Sequence, residues 1–254
     1  MVNNEFPNLS GKRALVTGGS RGIGAAIVRD LLDAGATVVT SSRNPVADLP
    51  EGVHYVQADV STAEGAEILA RETLAHLGGL DILVNNAGGA TAFPGGIATI
   101  PDEHWQAALD SNFLSVVRLT ARLLPALAES GSSSVVNIAS SATLSSMPPL
   151  AHYAAAKTAV EYYSRALAAE LAPKGVRVNI VTPGIVTTPG GDVARQHIAD
   201  SLGFPVENMT KGIPLGRNGI PRDIAEAVLF FASDRSVWVT GSQLVVDGGE
   251  QLGA

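Results

Sequence analysis

The sequence predicts one α/β domain in which a parallel sheet is covered by helices on both faces. Short apolar, β-branched runs alternate with longer stretches of helical periodicity along the chain, the pattern of strands buried on both sides. At 254 residues the chain suits one large domain better than two small ones, and no linker, repeat or charge block divides it. Apolar residues make up 46% and charged residues 16%, a composition that fills a core and argues against disorder.

Taken in order, Ala14-Leu15-Val16 reads as the first strand, followed by a glycine loop and a helix over about 22–34, with Gly35 just past its end. Thr37-Val38-Val39-Thr40 makes the second strand and 53–56 the third. A helix over about 63–77 leads to the fourth strand, Asp81-Ile82-Leu83-Val84. The stretch 103–127 predicts one or two helices, with Pro101 near the start and Pro125 near the end. Residues 134–138 form the fifth strand, and a long helix over about 151–172 is stopped by Pro173 and Gly175. Strand six spans 176–181, a helix 221–231 has Pro221 in its first turn, and strand seven spans 243–246. Only 187–214 breaks the rhythm: it is rich in Gly and Pro, with a weak helical patch over 192–202. A long irregular segment between regular elements predicts a lid or substrate loop.

Several function classes fall away. The net charge of −7, with no run of basic residues, argues against nucleic acid. With no cysteine there is no disulfide, thiolate catalysis or thiolate-bound zinc. His54, His76, His104, His152 and His197 lack metal-ligand spacing and read as surface or packing residues, so no metal is expected. Residues 1–10 show no secretory signal and no apolar run reaches the ~20 residues of a membrane span, so the expectation is a cytoplasmic protein without a membrane partner.

The loop after strand one reads Thr17-Gly18-Gly19-Ser20-Arg21-Gly22-Ile23-Gly24. It lies between a strand end and a helix start, where a dinucleotide's pyrophosphate sits, and its glycines permit a tight turn and close backbone approach. The spacing G-x-x-x-G-x-G departs from the commoner G-x-G-x-x-G. About 20 residues on, an NAD enzyme places an acid against the ribose 2′-hydroxyl. Here the chain has Ser41-Ser42-Arg43 and no carboxylate. Arg43, with Arg21 as a second cation, suits a 2′-phosphate, which favours NADP(H) over NAD(H).

Joined to further motifs, these residues resemble the short-chain dehydrogenases/reductases over about 11–249. Thr17-Gly18, Gly22 and Gly24 resemble the family's cofactor loop, and Asp59-Val60 its adenine contact. Asn85-Asn86-Ala87-Gly88 resembles the segment that stabilises the sheet and lines the cofactor. Asn112 falls at the helix asparagine, and Ser140, Tyr153 and Lys157 at the catalytic serine and the Y-x-x-x-K pair. Pro183-Gly184, with Val186 and Thr188, is similar to the stretch that meets the nicotinamide, and Val239-Thr240-Gly241 with 245–249 to the usual ending. The resemblance implies a doubly wound, Rossmann-like domain with a seven-stranded parallel sheet, commonly a homotetramer. It implies that Tyr153 and Lys157 also contact the cofactor, Lys157 through the nicotinamide ribose, and that Asn112 holds a water linking Lys157 to solvent.

Tyr153 and Lys157 are four apart on a predicted helix and share one face. An ammonium beside the phenol is expected to pull its pKa down from ~10, towards working pH. Ser140, thirteen residues before Tyr153 at a strand end, can donate to the substrate oxygen. The expected reaction is hydride transfer between NADP(H) and a small carbonyl or alcohol. A non-catalytic NADP(H)-binding redox sensor is the alternative, although such proteins tend to lose the tyrosine or lysine. An epimerase or dehydratase of related fold would be expected to carry a longer C-terminal substrate domain. The pocket wall is expected from 187–214, 144–150 and 89–95, with Thr91, Phe93, Met147 and Leu150 pointing to a neutral substrate and Arg195 and Lys211 able to turn inward.

Overall fold

In the computed structural model the described residues are 7–46 and 48–252. Residues 1–6, 47, 253 and 254 lie outside them, and with them most of the 1–10 segment and both ends of the expected 1–254 domain. Strands β1 (Arg13–Thr17), β2 (Thr37–Ser42), β3 (His54–Gln57), β4 (Ile82–Asn85), β5 (Ser133–Ile138), β6 (Val176–Pro183) and β7 (Gln243–Val246) make one sheet. Its order is β3-β2-β1-β4-β5-β6-β7, and every neighbouring pair is parallel. The helices are α1 (Gly22–Asp33), α2 (Ala63–Leu77), α3 (Asp102–Leu109), α4 (Ser115–Ser130), α5 (Ala151–Leu171), α6 (Pro189–Leu202) and α7 (Pro221–Ala232). The protein is a single α/β domain.

Successive strand side chains point to opposite faces, and two cores result. Ala14 and Val16 of β1, with Ile82 and Val84 of β4, pack under α1 and α7 against Ile27, Leu31, Val28 and Phe231. Leu15 and Leu83, one residue out of phase, pack on the other face against Leu69, Leu119, Leu123 and Leu171 of α2, α4 and α5. The chain winds outward from β1 through β2 to β3, then returns through α2 to place β4 on the other side of β1. A crevice therefore opens at the carboxyl ends of β1 and β4, where the winding reverses.

Strand limits shift by one or two residues, and two segments differ more from expectation. The stretch 103–127 is α3, a single π-helical turn (Asp110–Leu114), and then α4, which runs past Pro125 to Ser130 and ends at Gly131 with φ +70°. Leu119, Leu123 and Leu127 stay fully buried across the proline. Burying each is worth ~1.5–3 kcal/mol, which together outweighs the ~3 kcal/mol a mid-helix proline costs. The 187–214 segment is more ordered than its composition predicts. Helix α6 begins at Pro189 because the Thr188 hydroxyl accepts the Gly191 N–H at 3.1 Å, and a 3₁₀ turn (Val206–Thr210) follows.

Candidate active site

The glycine loop is laced to the segment after β4. The buried Thr17 Oγ1 accepts the N–H groups of Asn86 at 3.0 Å and Ala87 at 2.9 Å. In return Asn86 Nδ2 donates to the carbonyls of Thr17 and Gly18, at 2.9 and 3.2 Å. Gly18 and Gly22 adopt φ of +69° and +56°, and a Cβ at Gly24 would lie 2.2 Å from the Gly18 carbonyl oxygen. Each position therefore requires glycine.

Helix α1 starts from this loop without a side-chain cap and with no acid in its first turn. Helices α2 and α6, by contrast, are capped by Thr62 and Thr188. The first N–H groups of α1 are thus left for an anion, at the positive end of the helix dipole.

The loop opens into a cleft of about 810 Å³. From the loop it is lined by Gly18, Ser20, Arg21, Gly22, Ile23 and Gly24, and from the end of β2 by Ser42 and Arg43. Asp59 and Val60 follow β3, and Asn86, Ala87 and Gly88 follow β4. Ser140, Tyr153 and Lys157 come from β5 and α5, and Pro183, Gly184, Val186 and Thr188 from the segment after β6. Arg21 and Arg43 are exposed at its surface. The Ser42 hydroxyl is engaged locally, donating to the Asn44 carbonyl at 2.6 Å and lying 3.0 Å from the Tyr55 hydroxyl. Asp59 Oδ1 accepts from the Ser61 N–H and hydroxyl. The residues present, with the uncapped start of α1 and the Arg21 and Arg43 guanidiniums on one cleft, fit an elongated anionic dinucleotide.

Asn112 is the one expected site residue that does not line the cleft. It is fully buried in the π turn, where Nδ2 donates to the carbonyls of Gly89 and Ala108 and to the Ser111 hydroxyl, and Oδ1 accepts the Gly89 N–H at 3.0 Å. Both ends of its amide are engaged by the protein, and it clamps the loop at Gly88–Gly89, where a Cβ on Gly88 would lie 2.5 Å from Oδ1.

Lys157 is buried, and its Nζ donates to the Ile138 carbonyl at 2.8 Å. Burial pushes its pKa down to about 8. The expectation that Lys157 lowers the Tyr153 pKa is corrected here. Burial raises the phenol, and the group that lowers it is the Ser140 hydroxyl. The ammonium is 5.9 Å from the centre of the Tyr153 ring and anchored elsewhere, so it does not offset the desolvation.

The rest of the lining departs from the expected wall. From 89–95, Gly89, Ala90 and Thr91 line the cleft; from 187–214, Thr188, Pro189, Gly190, Gly191 and Arg195 do, and Lys211 does not. No residue of 144–150 is in the lining. That segment sits behind, its Pro149 carbonyl accepting the Phe93 N–H at 2.9 Å. In its place stand His104, Ala107, Ala108, Ser111 and His152, which sequence reasoning assigned to surface or packing or passed over. The position of His152 beside Tyr153 was the available signal. No cluster of three metal-ligating side chains occurs among the described residues, and no helix there is long and apolar enough to cross a membrane.

Fold and site together define a Rossmann-type α/β protein in which a tyrosine–lysine pair faces the same cleft as a glycine loop. The chain belongs to the short-chain dehydrogenase/reductase family, and a family profile described as enoyl-(acyl carrier protein) reductase matches residues 18–251. An uncharacterized oxidoreductase of Methylorubrum extorquens is 40% identical, the match covering 95% of this chain and 98% of that protein. A 3-oxoacyl-[acyl-carrier-protein] reductase of Chlamydia muridarum is 34% identical over 95% of this chain and 98% of its own. The ligand-free aldohexose dehydrogenase of Thermoplasma acidophilum superposes with a TM-score of 0.88 at 28% identity, covering 98% of each chain.

Proposed function

We propose that this protein is an NADP(H)-dependent oxidoreductase that interconverts a carbonyl and an alcohol on a small molecule. The observation that carries this reading is that Tyr153, Lys157 and Ser140 line one cleft with the glycine loop and the uncapped start of α1. Similarity to a reductase of 3-oxoacyl groups and to a sugar dehydrogenase supports the same chemistry.

The cofactor, when bound, supplies or accepts the hydride. In the reductive direction Tyr153 donates its phenolic proton to the substrate oxygen while that oxygen gains charge, and Ser140 donates a hydrogen bond that orients it. The raised phenol pKa keeps Tyr153 protonated and ready as an acid at neutral pH. Lys157 stands behind it as a buried cation, and Asn112 positions the loop at Gly88–Gly89. In the oxidative direction the tyrosine takes the proton back.

Preference for NADP(H) is supported by Arg43 and Arg21 at the cleft surface and by the lack of any carboxylate among residues 41–46. The 187–214 segment, through Pro189, Gly191 and Arg195, serves as the substrate cover. Assembly as a homotetramer in the cytoplasm belongs to the same proposal; the edge strand β7 offers exposed Leu244 and Val245 for such contacts. The test is NADPH oxidation by the purified protein over a panel of ketones and aldehydes, repeated with NADH. Turnover of a carbonyl with faster use of NADPH is expected; no turnover of any carbonyl or alcohol with either nucleotide would overturn the reading.

A further inference from the structure

Two cleft residues that the reaction above does not use, His104 and His152, belong to an aromatic cluster whose other rings, Phe93 and Trp105, lie outside the lining. Phe93 stands edge-on to His104, with ring centres 4.7 Å apart, and to His152, at 5.4 Å. Trp105 meets His152 from another side at 6.1 Å. His152 is only 3% exposed, yet it lines the cleft immediately before Tyr153 on α5. Its Nδ1 is sealed from solvent and has no hydrogen-bond partner.

That orphaned atom decides the tautomer. A neutral imidazole carries one N–H and one bare acceptor nitrogen. A buried N–H without an acceptor is the rarer and costlier defect, so the bare nitrogen is Nδ1 and the proton sits on Nε2. With Nδ1 closed off, the ring meets the cleft through its other edge. We infer that His152 is a specificity-determining substrate contact whose Nε2–H donates to a second oxygen of the substrate, near the reacting carbonyl. The site would then favour carbonyl compounds bearing a keto, ester or hydroxyl oxygen over simple ketones. This assignment rests on the oxidoreductase reading above.

The recognised oxygen need not be anionic. Burial lowers the His152 pKa and His104 adds to that effect. The first turn of α5, at the positive end of its dipole, also opposes an imidazolium. The nearby Ser111 hydroxyl is no substitute, because it donates to the Ala107 carbonyl at 2.7 Å.

The experiment compares ethyl acetoacetate with 2-heptanone, its chain-length match without the ester oxygens. The ratio of their kcat/KM values is measured for the native enzyme, His152→Phe and His152→Gln. A hydrogen bond of ordinary strength predicts that the ratio falls about 10-fold in His152→Phe, and that His152→Gln, which keeps a donor, retains most of it. Equal ratios in the native enzyme and His152→Phe overturn the assignment. A binding arm works without turnover and without variants that fold poorly. With nitrogen-labelled histidine and NADP⁺ present, the Nε2 resonance of His152 is expected to be protonated and to shift with ethyl 3-hydroxybutyrate but not with 2-heptanol. A proton on Nδ1, or an equal response to both alcohols, overturns the inference. If the native enzyme turns over neither ketone, the wider carbonyl and alcohol panel decides the oxidoreductase reading, and the binding arm alone decides this one.

Discussion

The Lys157 ammonium donates to the carbonyl of Ile138, the last residue of β5, at 2.8 Å. This contact ties α5 to the carboxyl edge of the sheet and buries a cation without an acid partner. The consequence is a lysine whose pKa falls from 10.5 to about 8.

A lowered lysine pKa means that between about pH 8 and 10.5 the unfolded chain binds the proton and the folded one does not. Folding stability contributed by this group therefore rises with pH across that window. The native protein should gain roughly 3 kcal/mol relative to Lys157→Met between pH 7.5 and 10.5. Denaturant midpoints of both proteins across that range check it; parallel profiles would place Lys157 in a solvated environment.

Tyr153→Phe removes the only proton that the phenol can give while keeping the ring's packing. Turnover should fall by ~10²-fold or more, with NADPH affinity nearly unchanged. Steady-state kinetics beside a fluorescence titration of the nucleotide separates these effects, and full turnover in the variant would remove Tyr153 from the mechanism.

Arg43 lies at the end of β2 where an acid would select the other nucleotide. Arg43→Ala should lower the ratio of NADPH to NADH efficiency by ~10-fold or more, since a planar guanidinium is a strong phosphate ligand. An unchanged ratio would assign the 2′-phosphate elsewhere.

Gly19 is outside the G-x-x-x-G-x-G spacing, yet a Cβ there would lie 2.1 Å from Thr40 Oγ1 and 2.6 Å from Val28 Cγ2. Thr40 is fully buried, its hydroxyl donating to the Val16 carbonyl at 2.8 Å, and cannot move aside cheaply. Gly19→Ala should cost about 1–3 kcal/mol of stability, read as a lowered Tm.

Much of this molecule was determined by sequence alone, because its signals are local. Leu15 lies between Ala14 and Val16, so a two-residue period sends it to the opposite core. The helix 63–77 and the strand 243–246 have the bounds their periodicity predicts. The spacing of Gly18, Gly22 and Gly24, and of Tyr153 and Lys157, already placed both groups at a strand end and on one helix face.

Only the tertiary structure decided the properties that depend on distant neighbours. Helix α4 continues through Pro125 because the sheet and neighbouring helices bury the leucines on either side of it. Asn112 turns its amide to Gly89, twenty-three residues away in sequence. The packing of His152 against Phe93, fifty-nine residues earlier in the chain, is likewise a product of the assembled fold. The direction of the Tyr153 shift belongs here too: spacing brought a lysine near, but desolvation by the assembled fold governs the proton. Periodicity is written within a few residues, whereas burial is a sum over the whole chain.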